Sequence, residues 1–254
     1  DRLMKHVGIV VVTFNRKELL EECLSNLLSS SYSEFHIYLI DNGSTDGTKE
    51  SIQDFLSNPK ISYFNTGKNL GGAGGFNYGR KRALDDGVDY IWMRDDDCMV
   101  SPDSLSKLIS FAAEHPNFGY LSSLVKWTDG KPCLRNVQRK SLWKEITSFT
   151  ENQQIRLASF VSFFTRREVV EDVGLPIKDF FIWGDDGEYS SRVAKKYTSY
   201  FVCDSVVTHK CKNNRGCNII QDNGRFERYF YAYRNEYYFY HKHGFSGHLY
   251  EFLK

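Results

Sequence analysis

The sequence predicts an α/β fold with a mostly parallel central sheet and flanking helices, and three observations carry that prediction. Over the first ninety residues, short apolar runs alternate with helical patterns. The connections are short, which favours right-handed crossovers between parallel strands. Polar clusters fall just after the predicted strands: TFNR after the first, DNGSTDGT after the second, NTGKNLGGAGG after the third and RDDDC after the fourth. In such sheets ligands bind at the carboxyl ends of the strands, so four loops are expected to converge on one edge. Loops are polar in any case, and turn chemistry is the plainer account of any single cluster.

The first strand is the apolar run VGIVVV at 7–12, followed by a helical pattern from about 16 to 30. HIYLI at 36–40 is the second strand, with a capped helix after it, and KISYF at 60–64 is the third. A glycine-rich turn runs into the helix GFNYGRKRALDDG, and VDYIWM at 88–93 is the fourth strand. SPDSLSKLISFAAEH reads as a helix with Ser101 as its N-cap and Pro102 at its first position. FGYLSSLVKW is a further strand. Residues 128–158 combine weak periodicity with many polar side chains, which predicts an irregular, mobile segment near the site. SFVSFFT at 159–165 resumes a strand, REVVEDVGLP is a short helix stopped by Gly174 and Pro176, and YFVCDSVVTHK is a strand ending at His209.

At 254 residues the chain can bury a full core, and one domain is expected. With 41% hydrophobic and 26% charged residues and a net charge of +1, a nucleic-acid grip built on bulk positive charge is excluded. The longest apolar runs are too short to span a bilayer and no signal peptide opens the sequence, so the chain reads as cytoplasmic. Met4 reads as the natural start, with three residues ahead of it. Six cysteines (Cys23, Cys98, Cys133, Cys203, Cys211 and Cys217) are scattered and expected to be free thiols; the gap between Cys211 and Cys217 is too wide for a CxxC pair.

YIWMRDDDC sets three aspartates after a hydrophobic run, and their mutual repulsion calls for a cation. Strand alternation turns Asp95 and Asp97 one way and Asp96 the other, so the first two can share a hard ion such as Mg²⁺ or Mn²⁺. A solvated acidic turn is the alternative. In FFIWGDDGEY, Asp185 and Glu188 have capping-box spacing, which leaves Asp186 free either as a dipole-stabilised surface anion or as an acceptor of a proton from a bound hydroxyl. Trp183, beside two glycines and three acids, reads as a ligand platform. His209, at a strand end, is either a satisfied polar residue or a nitrogen ligand that tilts the preference toward manganese. GKNLGGAGGFNYGRKRA closes with no G-K-[ST] and lacks the third glycine of GxGxxG, so a nucleotide-binding reading of that stretch alone is weak.

Taken together, IVVVTFNR, LIDNGSTDGT, NLGGAGGFNYG, WMRDDDC, FFIWGDDGEY and VTHK occur in an order that resembles family 2 glycosyltransferases of the GT-A fold, over about residues 7–210. NLGGAGGF with WMRDDDC looks most like the galactofuranosyltransferase and rhamnosyltransferase branch. The resemblance implies that Thr13, Asn15 and Arg16 lie near the nucleotide and that Asp41 receives the base. It sets Asn69, Gly71 and Gly72 along the diphosphate or donor sugar. Asp95 and Asp97 match the metal pair, with Asp96 nearer the sugar, and His209 matches the third metal ligand. Asp186 matches the catalytic base, and Trp183 and Asp185 the acceptor side. The wider family has Glu-Asp where this chain has Asp185-Asp186, and the cap argument selects Asp186 as the base.

The expected protein is therefore a Mn²⁺- or Mg²⁺-dependent inverting glycosyltransferase. Its donor is a UDP- or dTDP-sugar, with UDP-galactofuranose favoured, and its acceptor a hydroxyl of a growing surface polysaccharide. The alternatives are a dTDP-rhamnose-dependent rhamnosyltransferase and a non-catalytic nucleotide-sugar-binding module. The catalytic domain is expected over 1–224, donor-binding to about residue 100 and acceptor-binding over 101–224, with an aromatic-rich helix over 225–254. In that helix Phe226, Tyr229, Phe230, Tyr233, Tyr237 and Tyr240 fall on one face. It either packs on the domain or touches a partner or the inner face of the plasma membrane, the last of which would suit a lipid-linked acceptor.

Overall fold

The computed structural model of the protein describes residues 4–214 and 226–253; Cys217, the boundary at residue 224 and the side chain of Phe226 lie outside that description. β1 (Val7–Thr13) is buried along all seven residues because both faces of its sheet are covered. Val7, Ile9 and Val11 share a core with Leu20 and Leu24 of α1 (Lys17–Leu28), while Val10 and Val12 share another with Phe76 and Ala83 on the opposite face. β2 (Phe35–Asp41) and β4 (Tyr90–Asp95) flank β1, and β3 (Ile61–Asn65) pairs with β2, all in parallel. Thr13 is in register with Asp41, Asp41 with Asn65, and Val12 with Asp95. The four strands therefore end level, and their loops share one edge, as the polar clusters predict.

Between β2 and β3 the single capped helix is replaced by two short ones, α2 (Thr48–Ser51) and α3 (Gln53–Leu56), broken at Ile52. α4 (Gly71–Asp85) starts earlier than expected, so the glycines belong to the helix and not to a turn ahead of it. A Cβ on Gly75 would stand 2.6 Å from Val12 Cγ1 and one on Gly79 2.4 Å from Val10 Cγ1, so these glycines let α4 lie directly on β1. After β5 (Cys98–Val100), α5 (Ser104–Glu114) begins past Ser101, with Asp103 at the N-cap position. Ser101 does not cap it; its backbone N–H donates to Ser104 Oγ (2.9 Å), and Pro102 precedes the helix.

The second half contributes β6 (Tyr120–Lys126), β7 (Arg139–Ser141), β8 (Lys144–Glu145), β9 (Gln153–Ile155), β10 (Phe163–Arg166), α6 (Arg167–Val173), α7 (Asp185–Lys196) and β11 (Ser199–His209). Among the described residues the main sheet runs β3-β2-β1-β4-β10-β6-β11-β5, with β9 on β11. It is mixed beyond β4: β10 is antiparallel to β4 and β6, and β11 is parallel to β6 but antiparallel to β5. Residues 160–162, expected in a strand, form a 3-10 turn. The segment 128–158 is more regular than its pattern suggests, with the hairpin β7–β8 and strand β9. Two of its polar residues, Asn136 and Gln138, are buried, and Gln138 Nε2 donates to Ser122 Oγ (2.9 Å) and Ser123 O (2.7 Å).

The aromatic tail forms two helices, α8 (Phe226–His241) and α9 (Gly244–Leu253), and its buried face is not the expected stripe. Tyr229 and Tyr240 are buried, but Phe230, Tyr233 and Tyr237 are 67%, 59% and 58% exposed. The packed face turns instead on Asn235 and Phe239, because α8 docks against residues 178–184 on one side and Leu142 and Leu157 on another. No helix among the described residues is long and apolar enough to cross a membrane.

Candidate active site

The three aspartates do not continue a strand. β4 ends at Asp95, and Asp96 and Asp97 form the turn into β5, which replaces strand alternation as the reason their side chains diverge. Thr13 Oγ1 donates to Asp96 Oδ2 (2.8 Å), and one Arg16 nitrogen bridges Asp96 Oδ1 (3.0 Å) and Asp97 Oδ2 (2.8 Å). Antiparallel pairing of His209 with Cys98 carries the imidazole to the same turn, with Nε2 3.3 Å from Asp97 Oδ1. The adjoining Lys210 N–H donates to Asp97 O (2.8 Å).

These charges strain one another. Burial, then the charge of Asp97, pushes Asp95 up to about 6, and burial pushes Asp96 up to about 7 despite Arg16. Burial would also raise Asp97, but His209 and Arg16 outweigh it and hold Asp97 below its ordinary value. Burial alone would lower His209, yet the hydrogen bond and charge of Asp97, helped by the Cys133 thiol, raise it to about 10. The turn is thus an excess of negative charge with Arg16 and an imidazolium as its counter-ions.

Asp95, Asp97 and His209 offer two carboxylate oxygens and a ring nitrogen within 4.8 Å of one another, and Asp97 Oδ1 is buried without a well-formed hydrogen bond. An oxygen-rich set with one nitrogen fits a hard divalent cation, which would require His209 to be neutral and so would release a proton. His209 Nδ1 meets Asn136 Oδ1 at 2.7 Å, leaving Nε2 toward the carboxylates, and Asn136 Nδ2 donates to Ser159 Oγ (2.9 Å). Cys211 approaches Cys133 and His209 in a second grouping, but Asn136 already occupies Nδ1 on that side.

A cavity of about 860 Å³ opens above the turn, lined by Thr13, Arg16, Asn42, Asn69, Gly71, Gly72, the three aspartates, Asn136, Trp183, Asp185, Asp186 and His209 among others. Asn69 Oδ1 accepts the Gly71 N–H (2.8 Å), and Asn42 Nδ2 donates to Gly71 O (2.9 Å), so the loops after β2 and β3 brace each other. Asn15 and Asp41 do not line the cavity. Asp41 accepts from the Ser44 N–H (2.8 Å) and the Tyr63 hydroxyl (2.6 Å). Asn15, at φ +53°, accepts the Thr45 N–H at 2.8 Å.

Residues 181–184, within the loop 178–184, also line the cavity. Phe181 (φ +61°) and Trp183 (φ +60°) have positive φ, at a cost of ~1–3 kcal/mol each. Packing holds them there. Phe181 stacks on Tyr231 at 4.8 Å, Trp183 meets Tyr229 edge-on at 5.1 Å and Phe180 meets Tyr238 at 5.6 Å, which gives the aromatic residues of α8 a structural purpose.

Gly184, in the left-handed region, takes the N-cap position of α7, and no side chain caps the helix. The capping box is therefore absent: Asp185 is the first helical residue and is buried, and Glu188 pairs with Arg192 at 2.9 Å. Asp186 Oδ1 accepts only its neighbour's Gly187 N–H (2.7 Å) among the described side-chain hydrogen bonds. Burial, with the charge of Asp186 next, raises Asp185 well above the carboxylate range, and burial raises Asp186. Two acids whose anionic forms burial disfavours thus share a cavity with the aspartate turn. Asn42, Asn136 and Asn235 were not singled out by sequence, although each stands in a stretch that drew notice: DNGSTDGT, the segment 128–158 and the aromatic-rich helix.

A family model described as glycosyl transferase family 2 matches residues 8–174. Among curated proteins, the galactofuranosyltransferase GlfT1 of Mycolicibacterium smegmatis is 31% identical over 218 residues, which cover 81% of this chain and 71% of that protein. Among solved structures, a mannosyltransferase from Pyrobaculum calidifontis in complex with GDP-Man and Mn²⁺ superposes with a TM-score of 0.63 at 20% identity, over 82% of this chain and 57% of that one. GalNAc-T7 with UDP, GalNAc and Mn²⁺ gives 0.68 at 18% identity, over 84% and 44%. This chain therefore spans about half the length of those two solved chains, and the likeness to them establishes the GT-A architecture.

Proposed function

The chain belongs to glycosyl transferase family 2, and on that premise we propose that it transfers a sugar, with inversion, from a nucleotide diphosphate donor to a glycan hydroxyl. The observation that carries this reading is the convergence of Asp95, Asp97 and His209 with Asp185 and Asp186 on one cavity. Asp95, Asp97 and His209 would hold Mn²⁺ or Mg²⁺, which when bound supplies a positive charge against the diphosphate of the leaving nucleotide. Asp96, fixed by Thr13 and Arg16, borders the donor sugar, and Asn69, Gly71 and Gly72 the diphosphate.

On the acceptor side Trp183 offers an apolar face to a sugar ring, and Asp186 removes the proton of the attacking hydroxyl opposite the leaving group. Without the capping box, Asp186 is favoured over Asp185 by the motif match alone. UDP-galactofuranose is the favoured donor, since the galactofuranosyltransferase relative matches over most of both chains. Residues 1–100 serve the donor and 101–224 the acceptor, with Asn136 and His209 reaching back to the metal set. The exposed Phe230, Phe245 and Phe252 on α8 and α9 support a lipid-linked acceptor met at a membrane surface. Co-sedimentation with liposomes, lost in a Phe245→Ser/Phe252→Ser variant, tests that contact.

The decisive experiment is a donor panel with Mn²⁺, measuring transfer or slow hydrolysis of UDP-hexoses, UDP-galactofuranose and dTDP-rhamnose. Turnover of UDP-galactofuranose is expected. Turnover of dTDP-rhamnose alone would reassign the donor, and silence with every donor would favour a binding module.

A further inference from the structure

One side chain of α8 grips the loop that carries Trp183. Asn235 is 1% exposed, and its Nδ2 donates toward Phe180 O (2.8 Å), Trp183 O (2.8 Å) and Ile182 O (3.2 Å). Its Oδ1 is turned away by Arg234, whose Nε and Nη2 lie at 3.1 and 3.0 Å, so the donor end of the amide is committed to the loop. Arg234 also reaches Asp179 O. An aliphatic side chain here would leave three carbonyls without this donor, and a hydroxyl could serve one of them.

The same loop is seized from its other side. Phe181 O accepts the Ala73 N–H (3.1 Å), and a Cβ on Gly71 would stand 2.1 Å from that oxygen. The loop is therefore wedged between the start of α4, which borders the cavity, and Asn235, which does not line it. Phe181 and Trp183 sit in backbone conformations that need such restraint, and α7, with both acids, begins immediately after them.

We propose that Asn235 is a positioning residue for sugar transfer: its amide fixes residues 180–183 so that the acceptor meets Trp183 and the carboxylates of α7 in reacting geometry. This rests on the glycosyltransferase reading above. Asn235→Leu removes the donors at similar volume, and Asn235→Ser keeps one. With UDP-galactofuranose, Mn²⁺ and an alkyl galactofuranoside acceptor, the kcat of Asn235→Leu falls ~100-fold and that of Asn235→Ser ~10-fold, the scale of an ångström-sized misplacement. Calorimetric affinity and stoichiometry for UDP with Mn²⁺ stay at the wild-type values in both.

Wild-type kcat in both variants overturns the proposal. So does a kcat that falls only in step with the UDP-binding stoichiometry, since that marks loss of folded protein. If Asn235→Leu does not fold, Asn235→Ser decides by the same split. A wild-type protein inactive with every donor would overturn the glycosyltransferase reading as well, and that is seen before any variant is made.

Discussion

The carboxylate turn at Asp95–Asp97 and the 181–184 part of the loop 178–184 line the same cavity and are both held under tension, but of different kinds. In the turn the backbone is ordinary and the charges are in conflict, relieved by Thr13, Arg16 and His209. In the loop the carbonyls are well partnered and the backbone is in conflict, with two bulky residues at positive φ restrained by Asn235 and by aromatic packing. An electrostatic tension can be discharged by a cation that comes and goes. A conformational one persists through turnover. On the proposed function, the contrast would suit a donor side that loads and releases a metal–nucleotide pair and an acceptor side that keeps a platform and a base in place.

If the proposed function holds, removing the proposed base breaks the acceptor side most severely. Asp186→Asn is expected to lower kcat by ~10²–10⁴-fold with UDP–Mn²⁺ affinity unchanged by calorimetry. Asp185→Asn is its control, and if that variant alone lost turnover the base would be Asp185. The donor side should respond in the opposite sense. Asp97→Ala or His209→Ala abolishes metal-dependent nucleotide affinity, and Asn136→Ala, which only orients the imidazole, weakens it by ~10–100-fold. Unchanged affinity in Asn136→Ala would mean that His209 does not serve through Nε2.

The smallest effect is on stability. Asp95 and Asp96 have folded-state values, about 6 and about 7, above those of an unfolded chain, so their contribution is full at low pH and lost as the pH rises through those values. Raised His209 acts in the same direction as the pH climbs toward about 10, while depressed Asp97 has already given its full contribution by pH 5. The Tm in EDTA should therefore fall by a few degrees between pH 5 and 8, and Mn²⁺ should restore it. A Tm that rises with pH in EDTA would mean that the turn is not under electrostatic tension.

The two regions also differ in how far they could be read from sequence. Parallel strands with level ends betray themselves by period and by polar loops, and carboxylates that gather a cation do so within a few residues, so Asp95, Asp97 and the edge they occupy were legible. His209 was legible only in company with the other motifs. Asn136 and Asn235 were not, because a buried amide that acts by hydrogen-bonding a distant segment leaves no periodic trace. The D-x-x-E spacing of Asp185 and Glu188 misled because Gly184, free to be left-handed, takes the cap position and lets Arg192 claim Glu188. The aromatic stripe misled in a similar way, since the loop and hairpin that α8 meets decide which face is covered.

The grip of Asn235 also bears on how the protein is made. Thr13 meets Asp96 across 83 residues of chain, His209 meets Asn136 across 73, and Asn235 meets Phe180 across 55. Contacts so far apart can close only when their later partner exists, and a ribosome delivers the chain from its N-terminus. The strand ends and the aspartate turn are thus synthesised long before the helix that sets the acceptor loop. A nascent chain halted ahead of α8 would carry the strand-end edge and the aspartate turn without the clamp; if the proposed function holds, it would bind donor before it could transfer the sugar.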